Sequence, residues 1–367
     1  MADLDIAVRI LLAAGAALLL LWLLWVAAVS FHYRVRSAPP QLLRARADDG
    51  WALAVHHRPG APRRFREPVL LCHGLAANRY TFDFDPPYSL AHALSAAGFE
   101  CFTVEWRGTG KSSWPPPGHR WWDYSVDDHI QRDAPAALRL ALERSGADRA
   151  FWVGHSLGGL IGYAFAEAGG GAHLAGLAAL GSPVSFESDP ILRRAIRIGS
   201  AAAWPFGLRE RLMSLTLAPF LGRLALPLTD VVVNPEHIAP GVLRKVDARV
   251  ISSMGRGVLL QLRDWVENDA FRSRDGKVDY RTELRRVRVP LLVMGGSRDR
   301  LAPPSALRMQ HDLAGSEEKT LVIFGRDRGD RFDYGHGDLL YGTGAPLEIH
   351  PLLSRWLSEH ATPLCSS

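Results

Sequence analysis

Gly154-His155-Ser156-Leu157-Gly158 constrains the fold of this 367-residue chain more than any other stretch. It has the form G-x-S-x-G, and both flanks are apolar: Ala150-Phe151-Trp152-Val153 before it, Gly159-Leu160-Ile161-Gly162-Tyr163-Ala164-Phe165-Ala166 after it. The first flank reads as a buried strand and the second as a helix. A strand that turns at once into a helix leaves room only for small side chains around the apex, hence a glycine two residues before the serine and two after. The serine is then lifted clear of the sheet, which is the context of a nucleophile elbow. The plain alternative is a glycine-rich strand-to-helix turn with an idle serine.

The elbow sits in an alternation of apolar runs and helical patterns. Residues 42–46 and 51–57, joined through Asp48-Asp49-Gly50, predict a hairpin with a D-G turn. Residues 68–72, 99–106, 150–153, 174–180, 290–294 and 320–324 read as strands, and residues 88–97 and 123–145 as helices, with Gly98 ending the first. Helices between apolar strands predict an α/β fold with a mostly parallel sheet flanked by helices. Residues 185–285 break the pattern with amphipathic helical pieces at 191–203, 208–221, 242–253 and 258–265. That is too long for one crossover and predicts a helical cap inserted between two strands.

The amino-terminal segment is different in kind. Residues 10–31 carry no charge, long enough for one transmembrane helix, with Trp22 and Trp25 placed for an interfacial aromatic belt. A cleaved signal peptide is the competing reading, with Ala28-Val29-Ser30 as its cleavage site; Asp3, Asp5 and the long apolar run argue against it. Arg34, Arg36, Arg44 and Arg46 after the span outnumber Arg9 before it, which predicts a single-pass protein with its main domain on the cytoplasmic side. Ser37-Ala38-Pro39-Pro40 reads as a stiff spacer. The expected organisation is an anchor with its flanks over 1–36, a linker at 37–41, core at 42–184, cap at 185–285, core again at 286–362 and a tail at 363–367.

Net charge is +5, mostly from scattered arginines, with no basic stripe interleaved with aromatics, so nucleic acid is not an expected partner. Cys72 and Cys101 lie in apolar runs and read as buried small hydrophobes; with Cys365 they match no zinc spacing. No metal and no cofactor is expected.

Four stations resemble the α/β-hydrolase fold family, in its serine lipase and esterase branch. They are Leu71-Cys72-His73-Gly74-Leu75, the R-G-x-G-x-S loop from Arg107 to Ser112, the elbow, and Gly335-His336-Gly337-Asp338 after the last strand. The resemblance implies a serine, acid, histidine order along the chain. It assigns Ser156 as nucleophile, His336 as general base, Asp299 as the acid, and the backbone N–H groups of Leu75 and Leu157 as the oxyanion hole. Glu187 and Asp189, after the preceding strand, are alternative acids, whereas Asp333 and Asp338 stand too near His336 in sequence to face its ring. A serine nucleophile excludes the aspartate-nucleophile chemistry of related enzymes. The implied activity is hydrolysis of carboxylic esters through an acyl-enzyme. The apolar cap, with corners at Trp204-Pro205-Phe206 and Ala218-Pro219-Phe220, points to a small-molecule or lipid acyl ester reached at a membrane. An acyltransferase or thioesterase with the same triad, and a non-catalytic membrane-tethered binding protein on this fold, are the alternatives.

Overall fold

The computed structural model describes residues 2–112, 114–120, 122–186, 190–202, 210–221 and 229–364. Glu187, Asp189, Trp204-Pro205-Phe206 and Cys365 lie outside the described residues. One sheet holds eight strands: β1 Gln41–Arg46, β2 Ala52–Arg58, β3 Val69–Cys72, β4 Cys101–Glu105, β5 Ala150–His155, β6 Leu174–Leu180, β7 Leu291–Gly296 and β8 Lys319–Phe324. Their order across the sheet is β1-β2-β4-β3-β5-β6-β7-β8. β1 and β2 form the expected antiparallel hairpin, β2 pairs antiparallel with β4, and every other pairing is parallel.

The helices in chain order are α1 Ala2–His32, α2 Leu90–Ala97, α3 Val126–Asp128, α4 Ala134–Ser145, α5 Leu157–Glu167, α6 Pro190–Ala202 and α7 Glu210–Leu217. They continue as α8 Thr229–Val232, α9 Pro240–Val250, α10 Arg256–Asn268, α11 Tyr280–Glu283, α12 Pro304–Leu313, α13 Asp338–Tyr341 and α14 Ala345–His360. Those from α6 to α11 fall between β6 and β7, in the stretch where the sequence pattern predicts an insertion.

The strands read as continuous apolar runs because both faces of a parallel sheet are covered. β3, β5, β6 and β7 are buried along their whole length. Successive side chains go to opposite faces. Trp152 therefore joins Trp51, Trp106 and Trp265 on one side, while Phe151 and Val153 join Phe99, Tyr334 and Trp356 on the other. Cys72 and Cys101 are free and buried, as expected of small hydrophobes, and burial pushes both thiols up.

Element ends differ from the sequence pattern where local chemistry decides them. Ser89 caps α2 through the N–H of His92, and Gly98 closes it at φ 104°. The helical stretch expected from residue 123 begins at Val126, and a π-helical turn, His129–Asp133, separates α3 from α4. That turn carries Asp133, which accepts from the buried Arg107 at 2.9 and 2.7 Å, while Asp49 of the hairpin turn accepts from the same guanidinium at 2.7 Å. The R-G-x-G-x-S loop is thus bolted to the sheet edge and to α4.

The last residue of α5, Glu167, is buried, and neither carboxyl oxygen finds a hydrogen-bond partner among the described residues. Burial, reinforced by the charges of Glu283 and Asp279, raises its pKa from 4.5 to about 9. The folded state therefore holds a proton that the unfolded state releases above pH ~4.5, and this stabilisation is lost as pH rises toward 9. Glu167→Gln has no such dependence, so its stability advantage over wild type should grow steadily between pH 5 and 9 in denaturant melts. A constant gap across that range would contradict a protonated Glu167.

Candidate active site

The sheet register brings the sequence stations to one edge. Cys72 stands opposite Gly154 on one side and Val104 on the other, so His73-Gly74-Leu75, Trp106-Arg107 and His155-Ser156 leave the sheet at one level. His155 pairs with Leu180, Leu180 with Met294, and Gly296 with Phe324. Gly181, Asp299 and the loop after β8 therefore emerge beside them. Ligand sites of open parallel sheets lie at the carboxyl ends of the strands for this reason.

Ser156 holds φ 54° and ψ −122° between β5 and α5. A non-glycine residue there costs about 1–3 kcal/mol. The turn is clamped by Ser156 N–H donating to Leu180 C=O at 2.8 Å and by Gly159 N–H donating to Ser156 C=O at 3.0 Å. A Cβ at Gly154 would stand 2.4 Å from Gly158 C, and one at Gly158 would stand 2.0 Å from Cys72 O. The two glycines are thus needed for clearance. Trp152 Nε1 donates to Gly158 C=O at 3.0 Å and braces the start of α5 from below.

Asp299 and His336 come together although 37 residues separate them. His336 Nδ1–H donates to Asp299 Oδ2 at 2.8 Å, and both residues are buried. Asp299 Oδ1 accepts from the N–H groups of Leu301 and Ala302 at 2.9 and 2.8 Å, which fixes the carboxylate plane. A carboxylate on Nδ1 leaves Nε2 as the unprotonated, basic nitrogen of a neutral ring. Gly181 connects the pair to the elbow, since a Cβ there would lie 3.1 Å from His336 Nδ1 and 3.2 Å from Asp299 Oδ2. No hydrogen bond joins Ser156 Oγ to His336; such bonds are often long in free enzymes and tighten with substrate.

Leu75 and Leu157 line a narrow cleft together with His73, Tyr124, Met254 and Val258. Neither backbone N–H donates to another described group. Gly74 passes so close that a Cβ on it would sit 3.0 Å from Ser156 Cβ. The two N–H groups of the H-G turn and the helix start thus flank the serine.

His73, just beyond the end of β3, ties two turns together. Its Nδ1–H donates to Gly74 C=O at 2.8 Å, its Nε2 accepts from Trp106 N–H at 3.3 Å, and Trp106 Nε1 donates to His73 C=O at 3.0 Å. Burial depresses its pKa to about 4 against the Gly74 carbonyl and the Glu105 carboxylate, so the ring is a neutral brace.

Two supports of His336 were not visible in the sequence pattern. His155 Nε2–H donates to His336 C=O at 3.2 Å with the rings 4.7 Å apart. Burial, then the neighbouring His336, brings its pKa down to about 3, so it adds no charge beside His336. Asp338 turns away from the His336 ring and accepts from Gly335 N–H at 2.7 Å and Asn234 N–H at 2.9 Å. Burial raises its pKa to about 6 against those two bonds. Asn234 belongs to the insertion, as does Val232, whose C=O accepts from Gly337 N–H at 2.8 Å. Asp333 also turns away, accepting from Ser297 Oγ and Arg326 N–H at 3.0 Å each.

Residues 67–328 match the family model of the alpha/beta hydrolase fold, and the chain belongs to that family. Among curated relatives it is 31% identical to the tear acid lipase-like protein of Mesocricetus auratus over 127 residues, 31% of each chain. The chain spans about a third of the length of the curated relatives it matches, 31% and 36% for the first two. A soluble variant of Saccharomyces cerevisiae monoglyceride lipase superposes with TM-score 0.60 at 18% identity, over 90% of this chain and 98% of that one. A bacterial membrane phospholipase A gives TM-score 0.58 at 18% identity, over 98% and 99%. At such identities these two likenesses are of fold.

Gly181 tests how tightly the carboxylate–imidazole pair is held. Its φ of 54° and the contacts above mean that Gly181→Ala strains the backbone and pushes on the Asp299–His336 bond. The variant should melt lower and react at least about tenfold more slowly with a fluorophosphonate, a tenfold change being 1.4 kcal/mol in barrier. Wild-type labelling in a folded variant would show that the pair plays no part in serine reactivity.

Proposed function

We propose that this protein is a membrane-anchored serine hydrolase that cleaves carboxylic esters, with an acyl or lipid ester as substrate. The observation that carries the reading is the buried Asp299–His336 hydrogen bond beside an elbow serine held at positive φ. In the proposed cycle His336 Nε2 takes the proton of Ser156 Oγ as the oxygen attacks the ester carbonyl carbon. Asp299 keeps the ring in the tautomer that can accept it and steadies the imidazolium. The developing oxyanion is met by Leu75 N–H and Leu157 N–H, donors fixed before the reaction begins. Collapse breaks the ester C–O bond, and the alcohol leaves with the proton from His336. Water then repeats the steps on the acyl-enzyme, releasing the acid and restoring the serine.

Lipase stands in the name of the curated relative given above, which supports an acyl ester as substrate. Residues Val8–His32 are long and apolar enough to cross a bilayer, with mean hydropathy 2.5. The segment after them is tied down, since the N–H groups of Arg36 and Ser37 donate to Asp85 Oδ1 and Arg58 donates to Ala38 C=O at 2.8 Å. A helix that packs against the folded domain is better explained as retained than as removed. The arginine excess after the span favours a cytoplasmic catalytic domain.

Ser156→Ala and His336→Ala should each lower kcat on p-nitrophenyl esters by on the order of 10⁴–10⁶, and Asp299→Asn by somewhat less. Ser156→Ala should also abolish fluorophosphonate labelling while the melt stays cooperative. Full activity in Asp299→Asn, with a large loss in Glu187→Gln or Asp189→Asn, would move the acid to the earlier strand.

Amino-terminal sequencing and protease digestion of intact cells address the anchor. An unprocessed start and a protected domain are expected. A chain beginning near Phe31 would show a signal peptide, and removal of the domain by external protease would reverse the orientation.

A further inference from the structure

The amino-terminal helix is not a free tether. Trp22 Nε1 donates to Thr216 Oγ1 at 3.1 Å and Trp25 Nε1 to Thr216 C=O at 3.3 Å. Trp25 stacks on Phe220 with ring centroids 6.2 Å apart, and Val29 is buried with Leu215, Ala218 and Ala248. Thr216 and Leu215 belong to α7, and Ala218–Phe220 form the 3-10 turn that follows it. One face of this element is therefore spent on α1 and α9.

An apolar stripe on either side of Thr216 stays largely exposed, next to α1 and not opposite it. Leu212, Met213, Leu217 and Phe220 are 42%, 60%, 44% and 44% exposed. Position along α1 says what covers them. The uncharged run begins at Ile10, and a hydrocarbon core about 30 Å thick needs about 20 residues at 1.5 Å each. A span that starts there leaves the core near Val29. Trp22 and Trp25 then lie about 18–22 Å from the far side, some way inside the near leaflet. Thr216, which accepts from both indoles, lies at a similar depth. An α-helix can enter that layer because its backbone groups are already satisfied.

We propose that α7 and its 3-10 turn are buried in the near leaflet beside α1, with Leu212, Met213, Leu217 and Phe220 in contact with lipid hydrocarbon. The occupant of this face is the bilayer itself, continuous with the surface that α1 presents to it. The inference rests on the reading of α1 as a retained span. It adds that the insertion, and not α1 alone, holds the protein in the membrane. The insertion also supplies Met254 and Val258 to the cleft beside Leu75 and Leu157, so the cleft is carried at the bilayer surface.

The test uses the full-length chain in phosphatidylcholine vesicles, in a Cys365→Ser background so that the remaining cysteines are the buried Cys72 and Cys101. An environment-sensitive fluorophore is placed on Met213→Cys, Phe220→Cys, Leu19→Cys within α1, or Lys277→Cys on the exposed insertion surface, and quenched with doxyl-labelled lipid. Strong quenching is expected at 213, 220 and 19, and none at 277. Quenching at 19 without quenching at 213 and 220 overturns this inference and leaves the anchor standing. No quenching at 19 overturns both. As a second readout, Met213→Asp with Leu217→Asp should lower kcat/KM at least about tenfold on an ester lodged in vesicles and leave kcat/KM on a short soluble ester unchanged. Equal loss on both esters, or loss on neither, also counts against it.

Discussion

Everything at this site depends on how closely the start of α5 approaches the end of β3. The carbonyl of Cys72 lies where a side chain at position 158 would have to go, and the Gly158 backbone lies where one at position 154 would go. Only with both absent can β5 turn directly into α5 and leave Ser156 standing above the sheet at φ 54°. The strain at that residue is carried by a helix whose eleven residues are all buried, by two backbone bonds across the turn and by the Trp152 indole beneath it. Loosening any of these would let the serine relax into the sheet plane, away from the two N–H groups beside it.

The sequence speaks clearly of features set by sterics and periodicity. Buried parallel strands announce themselves as apolar runs, and a turn that excludes side chains announces itself as glycine. For this reason the strands, the elbow and the Gly335-His336-Gly337 loop are visible without coordinates. The supports of His336 are not. Asp338 could be placed only as a carboxylate near the histidine, and its partner Asn234 stands 104 residues away in a region without a recognisable pattern. His155 alternates away from Ser156 along the strand, and only the register of β5 against β6 and β7 carries it under the His336 carbonyl. Pairings of this kind come from tertiary register, which no local window contains.

The electrostatic arrangement follows from burial. Desolvation keeps His73 and His155, which stand at the strand ends beside the elbow, neutral well below physiological pH. An imidazolium forming at His336 would therefore meet one carboxylate, Asp299, and no competing cation on either ring. Asp299 spends its second oxygen on two backbone N–H groups, so it holds its orientation while the ring's charge changes. The buried Arg107 is held by Asp133 and Asp49 and shapes the loop behind Trp106.

The amino-terminal tryptophans show how a partner is missed when a residue type is read from its position alone. Apolar length and terminal indoles are what an interfacial belt looks like, yet both indole N–H groups donate to Thr216 in the insertion. From there the contacts run inward. Ser214 on α7 donates to Asp247 on α9 at 3.2 Å, and Arg249 near the end of α9 accepts from Asn78 Nδ2 at 2.8 Å through its carbonyl. Ser252 N–H then donates to Ala76 C=O at 2.8 Å, one residue beyond Leu75. The amino-terminal helix is thus joined through two helices of the insertion to the turn that presents Leu75 N–H. The geometry of that turn is tied to the packing of the insertion on the amino-terminal helix.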